Sequence, residues 1–288
     1  MNVFIILLTI LILIIIMIIV ESHIELNSLR VTEYVLSENV PKSLKGKKMV
    51  FISDYHEAVN GKLNQRILDE VKQISPDLIL IGGDMVNSNE IPEDCKPAIE
   101  LLNGLSKIGK CLYSLGNHEK KMSVDFYNMG VDFSGYLKQL NDDITFLCND
   151  KYYINGKDAK DGVIYGLDIP LEYYGRISFP KLEKEKINEL LSGSPEGYSI
   201  LLGHAPDFID GYSDWGADLA LSGHFHGGII RFPFLGGLIS PRFMLFPRYD
   251  YGKYKKGKTI MIVTNGMGQH SLCLRVNNIP EIVSIKFQ

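Results

Sequence analysis

The sequence predicts an α/β domain carried behind one membrane-spanning helix, on three observations. An unbroken apolar run opens the chain, short apolar runs later alternate with amphipathic stretches, and five of those runs end in residue types that bind metals. At 288 residues, 45% of them hydrophobic and 22% charged, the chain is long enough to bury a large core.

From Val3 to Val20 every residue except Thr9 is apolar. As a helix, that run reaches about 27 Å, close to the thickness of a bilayer core. A cleaved signal peptide is the competing reading, with Val20-Glu21-Ser22 as a loose cleavage site. The run exceeds the usual ~7–15-residue signal core, and no Lys or Arg precedes it, so an uncleaved anchor over residues 1–25 is expected. A helix apolar on all sides at a terminus also argues against a buried soluble helix. Arg30 is the sole Lys or Arg in residues 1–40, which leaves the positive-inside rule little to count.

Residues 22–48 read as a polar connector, and one domain is expected over residues 26–288. Continuous apolar runs at 49–53, 78–81, 112–115, 198–202 and 219–222 read as buried strands. Further strands are expected at 162–166, 258–264 and 282–287, and helices at 61–74, 93–106 and 182–191. The four cysteines, Cys95, Cys111, Cys148 and Cys273, form no CxxC pair, so neither a zinc ribbon nor a thioredoxin-type motif is available. A formal net charge of −4 gives no global basic field, so nucleic-acid binding by phosphate neutralisation is not indicated. There is no G-x-S-x-G elbow or Walker A loop to support serine-hydrolase or P-loop chemistry.

The chemistry lies at the ends of the apolar runs: Asp54-Tyr55-His56, Gly82-Gly83-Asp84, Gly116-Asn117-His118-Glu119, Gly203-His204 and Gly223-His224-Phe225-His226. The carboxyl ends of strands in an α/β sheet line the ligand crevice, so residues far apart in sequence converge there. Imidazoles with carboxylates suit manganese, iron or zinc better than calcium. Two close cations lower the pKa of a shared water, so that hydroxide can attack phosphorus while both ions spread the charge of an in-line displacement. Asn117 adds coordination without charge, and glycines before the ligands let the backbone turn sharply.

This ordered set of motifs resembles the calcineurin-like metallophosphoesterase family, and more closely its membrane-anchored bacterial subgroup. The resemblance covers residues 49–226 and implies a four-layer α-β-β-α sandwich of two mixed sheets with helices outside. It implies that Asp54, His56, Asp84 and His226 hold one divalent ion, manganese before iron or zinc. Asp84, Asn117, His204 and His224 would hold a second, with Asp84 bridging, while His118 protonates the leaving oxygen. Asn87 stands where many members carry a second aspartate, a departure expected to tune activity without abolishing it. Glu119 is expected either to orient a ligand or to take a helix-capping or surface role. His23 and His270 have no motif support, and Tyr55 and Phe225 are expected to pack beside the metals.

Residues 231–258 carry seven basic residues against one acid, Asp250, together with seven aromatics. They read either as a lip that meets an anionic lipid surface or as an ordinary solvated loop with core aromatics. The expected function is hydrolysis of a phosphodiester, phosphomonoester or pyrophosphate, on a phosphorylated small molecule or lipid, by a single-pass protein whose domain lies outside the cytoplasm. A nuclease or nucleotide phosphodiesterase, and a non-catalytic phosphate-binding envelope protein, are the alternatives.

Overall fold

A computed structural model describes residues 3–56, 61–88, 95–124, 133–156, 161–175, 179–268 and 274–288. Helix α1 (Val3–Leu26) is long and apolar enough to cross a membrane, and none of its apolar stretch is buried. Its last turn behaves differently. Ser22 and Glu25 are buried against the domain, where Ser22 Oγ accepts the Arg275 amide at 3.0 Å and Glu25 Oε2 accepts the Asn278 amide at 2.8 Å.

Fourteen strands are described. The first sheet takes the order β1 (Arg30–Leu36), β14 (Glu281–Phe287), β2 (Lys48–Ile52), β3 (Leu78–Ile81), β4 (Cys111–Tyr113) and β5 (Ile144–Phe146); only the β14–β2 pair is antiparallel. The second takes the order β12 (Gly252–Lys256), β13 (Thr259–Val263), β9 (Leu219–Ser222), β8 (Ser199–Gly203), β7 (Val163–Leu167) and β6 (Asp150–Tyr153), antiparallel only at its two edges. A small ribbon pairs β10 (Arg231–Phe232) with β11 (Gly236–Gly237). The helices are α2 (Asn64–Ile74), α3 (Lys96–Ser106), α4 (Asn117–Val124), α5 (Phe133–Lys138), α6 (Lys184–Leu190) and α7 (Ile209–Trp215).

Alternation along apolar strands builds the layers. In β2, Met49 and Phe51 face the second sheet, where they meet residues such as Ile200, Leu221 and Ile262. Val50 and Ile52 face the other way, onto Ile67 and Val71 of α2 and Ile99 and Leu102 of α3. In the second sheet Tyr165, Leu201 and Met261 turn outward to Ile187 of α6 and to Tyr212 and Trp215 of α7. Strands buried on both faces need apolar residues at every position, which is why their sequences run without alternation. Two mixed sheets packed face to face with helices outside are the expected four-layer sandwich.

Two expectations need correction. The polar connector at 22–48 contains the α1 end and strand β1, whose polar Arg30, Thr32 and Glu33 conceal an edge strand. The 112–115 strand ends at Tyr113, after which the chain turns towards the site. Helix α2 begins at Asn64 and α3 at Lys96; residues 93–94, His270 and Cys273 lie outside the described residues.

Candidate metal centre

The parallel strands β2, β3 and β4 of one sheet and β8 and β9 of the other deliver the motif residues to one buried pocket. Asp54, His56, Asp84, Asn117, His204, His224 and His226 are all buried, and His118 is half-buried. Candidate ligand atoms group within 4.8 Å as Asp54, His56 and His226, as Asp84, His204 and His224, and as His56, Asp84 and His118.

The backbone presents these side chains in an unusual way. Asp54, His56, Asp84, His224 and His226 have φ values of +53°, +35°, +52°, +66° and +48°. Non-glycine residues adopt this left-handed region rarely and at some cost, and such strain collects at functional sites. At Gly223 a Cβ would lie 1.9 Å from Asp54 Oδ2, so only glycine lets the β9 turn approach that carboxylate.

Each acid splits its two oxygens between tasks. Asp54 Oδ1 accepts the His224 amide at 2.8 Å, and Asp84 Oδ1 accepts the His118 amide at 2.8 Å. Asp54 Oδ2 is buried with no hydrogen-bond partner among the described residues, as is Asn117 Oδ1. Asp84 Oδ2 lies 3.0 Å from His204 Nε2 and 3.6 Å from His56 Nε2. The imidazoles are turned by bonds at their other nitrogen. His56 Nδ1 lies 2.7 Å from Asn87 Oδ1 and His204 Nδ1 lies 2.8 Å from the Gly82 carbonyl, which makes each Nδ1 a donor and leaves Nε2 to face the acids. His118 is set the opposite way. Its Nδ1 accepts the Ser88 amide at 2.9 Å, so the neutral ring carries its proton on Nε2.

Burial pushes the Asp54 carboxyl above the usual carboxylate range, and the charge of Asp84 adds to that rise while His204 opposes it. Burial acts on Asp84 in the same direction but is outweighed by His204 and His118, which hold it low. Two adjacent buried acids whose remaining oxygens face imidazole nitrogens fit a divalent-cation donor set, since a cation compensates both burial and mutual repulsion.

Glu119 is not at the surface, and it both braces the Asp84 turn and caps a helix. Fully buried, it accepts the Asp84 and Gly116 amides at Oε2 and the Met85 amide and Tyr113 hydroxyl at Oε1, at 2.7–3.0 Å. The bond back to Gly116 from the third residue of α4 is the reciprocal half of a capping box, and the remaining bonds clamp the Asp84 turn to the Asn117 turn. Asn87, noted only as a departure, proves to be the His56 partner. Reasoning from sequence missed Ser88, Asn278 and Glu25. Asn278 Nδ2 donates to the His226 carbonyl at 2.7 Å, and its own amide is held by Glu25 of α1. These residues have no local signal, because the Glu25–Asn278 contact joins positions 253 residues apart. Tyr55 and Phe225 are buried; Tyr55 Oη donates to Asn64 Oδ1 at 2.6 Å, and the Phe225 ring lies 5.7 Å from that of His224. His23 is exposed in the last turn of α1 and belongs to none of the ligand groups.

The calcineurin-like phosphoesterase family model matches residues 47–228, which include every residue of the pocket from Asp54 to His226. An uncharacterised metallophosphoesterase of Bacillus subtilis, YkuE, is 28% identical over 279 residues, covering 90% of this chain and 86% of that protein. A Campylobacter jejuni metallophosphoesterase is 31% identical over 266 residues, covering 91% of this chain and 65% of its own length. A zebrafish protein described as a transmembrane protein with metallophosphoesterase domain is 27% identical, covering 86% of this chain and 54% of its own. With more than half of its length matched by the family model and the motif residues gathered in one buried pocket, the chain belongs to the calcineurin-like phosphoesterase family.

Proposed function

We propose that the chain is a membrane-anchored phosphoesterase working with two divalent cations, manganese before iron or zinc. Asp54, His56, Asp84 and His226 would hold one ion, and Asp84, Asn117, His204 and His224 the other. The observation that carries this reading is the division of labour at the acids: Asp54 and Asp84 each spend Oδ1 on a backbone amide and turn Oδ2 into the pocket, where the imidazoles converge. When bound, the cations supply charge neutralisation for a phosphoryl group and a lowered pKa for an attacking water.

The chain's own residues supply the rest. Asn87 and the Gly82 carbonyl fix the tautomers of His56 and His204. The Ser88 amide occupies His118 Nδ1, so His118 offers Nε2–H to the oxygen that leaves phosphorus. His118 also lies within ligand distance of His56 and Asp84, but a ring that keeps its proton on Nε2 favours the acid role over coordination. The substrate class is a phosphodiester, phosphomonoester or pyrophosphate. We place the protein at a cell membrane on the single span α1, with the domain on the extracytoplasmic side that the subgroup resemblance implies.

The test is hydrolysis of bis-(p-nitrophenyl) phosphate by the full chain in detergent with manganese, with and without chelator. The full chain is required because cutting at residue 26 removes the Ser22 and Glu25 contacts. Turnover is expected, with loss on chelation and in Asp84→Asn. His118→Ala should lower turnover about 100- to 10,000-fold while two metals remain bound. A folded sample that binds no divalent metal would refute the reading.

A further inference from the structure

Outside α1, nine large apolar side chains are exposed among the described residues, and six of them fall between residues 232 and 246. Phe232, Phe234, Leu235, Phe243, Leu245 and Phe246 are between 43% and 107% exposed. The concentration is the informative point, since single exposed hydrophobics are ordinary and a contiguous group marks an interaction surface. Phe234, Phe243 and Phe246 also have φ values of +68°, +60° and +50°, a region that bulky residues avoid. The segment thus holds three phenylalanines outward at a backbone cost that water contact does not repay.

The base of this lip is fixed to two things at once. It follows directly on the His226–Gly228 turn, and the Leu238 amide donates to the Ile230 carbonyl at 2.7 Å. A Cβ at Gly228 would lie 2.6 Å from the Gly237 Cα, so the ribbon lies directly against the metal-site turn. Beside it, Ile230 bridges Val276 and the Arg231 amide donates to the Val276 carbonyl at 2.9 Å. Residues 275–278 are also the segment that grips the end of α1 through Ser22 and Glu25. From the Asn278 contact at Ile229 to Phe232 the chain advances three residues, about 10 Å at full extension.

We propose that the lip at residues 232–246 is a membrane-docking surface whose occupant is the interface of the bilayer in which α1 sits. The apolar helix ends on the lip's own support, so insertion of α1 brings the membrane surface to the exposed phenylalanines. Docking there removes the aromatic side chains from water and lays the mouth of the metal pocket against the headgroup layer. The lip therefore gives the enzyme access to phosphoesters carried at a membrane surface. The docking rests on α1 being inserted, and the access also rests on the phosphoesterase reading.

The experiment exploits the single tryptophan of the chain, Trp215, which is buried in the core over the second sheet. Full-length native protein, Phe234→Trp and Leu245→Trp are reconstituted into phosphatidylcholine vesicles with and without bromine on the acyl chains. Both variants replace exposed side chains, and circular dichroism matching that of the native protein confirms their folding independently of activity. The added emission should shift to shorter wavelength and be lost with brominated lipid, while Trp215 emission is unchanged. Added emission that stays at the wavelength of water and is quenched by aqueous iodide instead would overturn the docking. Failure of the chain to float with the vesicles would overturn the anchor and the lip's partner together. Quenching without any hydrolytic activity would leave the docking supported and remove only the phosphoesterase reading.

Discussion

The two sheets supply the same ligand chemistry to the pocket but support it in different ways. The turns of the first sheet are tied to one another, because Glu119 clamps the Asp84 turn to the Asn117 turn within a single neighbourhood. Those of the second sheet depend on remote segments. The His226 carbonyl is held by Asn278, whose Oδ1 accepts from Asn265 Nδ2 at 2.8 Å and whose amide is held by Glu25 at the end of α1. Glu119 thus braces the Asp84 and Asn117 turns against each other, whereas the His226 turn is completed by the helix that would lie in the membrane. The His226 turn should therefore respond to changes at the anchor, and the Glu119 clamp should not.

The largest effect is expected at Glu119. Glu119→Ala strips the acceptor from three buried amides and a tyrosine hydroxyl, each costing roughly 1–3 kcal/mol, so stability should fall by about 4 kcal/mol or more, read as a lowered unfolding midpoint in detergent. A loss under about 1 kcal/mol would show that water replaces the clamp. Next is Asn278→Ala, which removes the side-chain donor from the His226 and Ile229 carbonyls and leaves each with one backbone bond of 3.4 Å. Metal affinity measured by calorimetry should fall about 10- to 100-fold with the fold intact. Glu25→Ala should act in the same direction and more weakly, since it removes only the support of Asn278; if it left metal affinity unchanged, the anchor would be uncoupled from the site. The smallest effect is expected at Asn87→Asp, which keeps an acceptor for His56 and should shift metal affinity less than about tenfold.

The first-sheet half was the more legible in the sequence. Strands β2, β3 and β4 are almost wholly apolar and end within a few residues of Asp54, Asp84 and Asn117, so pattern and chemistry point to the same residues. The missed strands were edges or short pieces. Strand β1 carries Arg30, Thr32 and Glu33 and reads as a connector, while β12 carries Lys253, Lys255 and Lys256 and reads as part of a basic loop. The charge of residues 231–258 misled for a physical reason. Arg231 pairs with Asp250, Arg242 with Asp207, Lys255 with Glu38, Lys256 with Asp210 and Lys258 with Asp218, so most of the cations are engaged with acids, several of them from distant elements. Of the seven aromatics, Tyr249 and Tyr254 do pack against the core, while the four phenylalanines are exposed. Periodicity reports burial along one element, and it contains no information about partners hundreds of residues away.

The pairing of β1 with β14 places the first and last strands of the domain side by side, matched over seven residues from Arg30↔Glu281 to Leu36↔Phe287. During synthesis at roughly 5–20 residues per second, the ribosome must make everything between these strands before the ladder can close. Strand β14 follows every candidate ligand from Asp54 to His226 in the chain, so the sheet that carries Asp54, Asp84 and Asn117 closes only after the last of the pocket residues has been made.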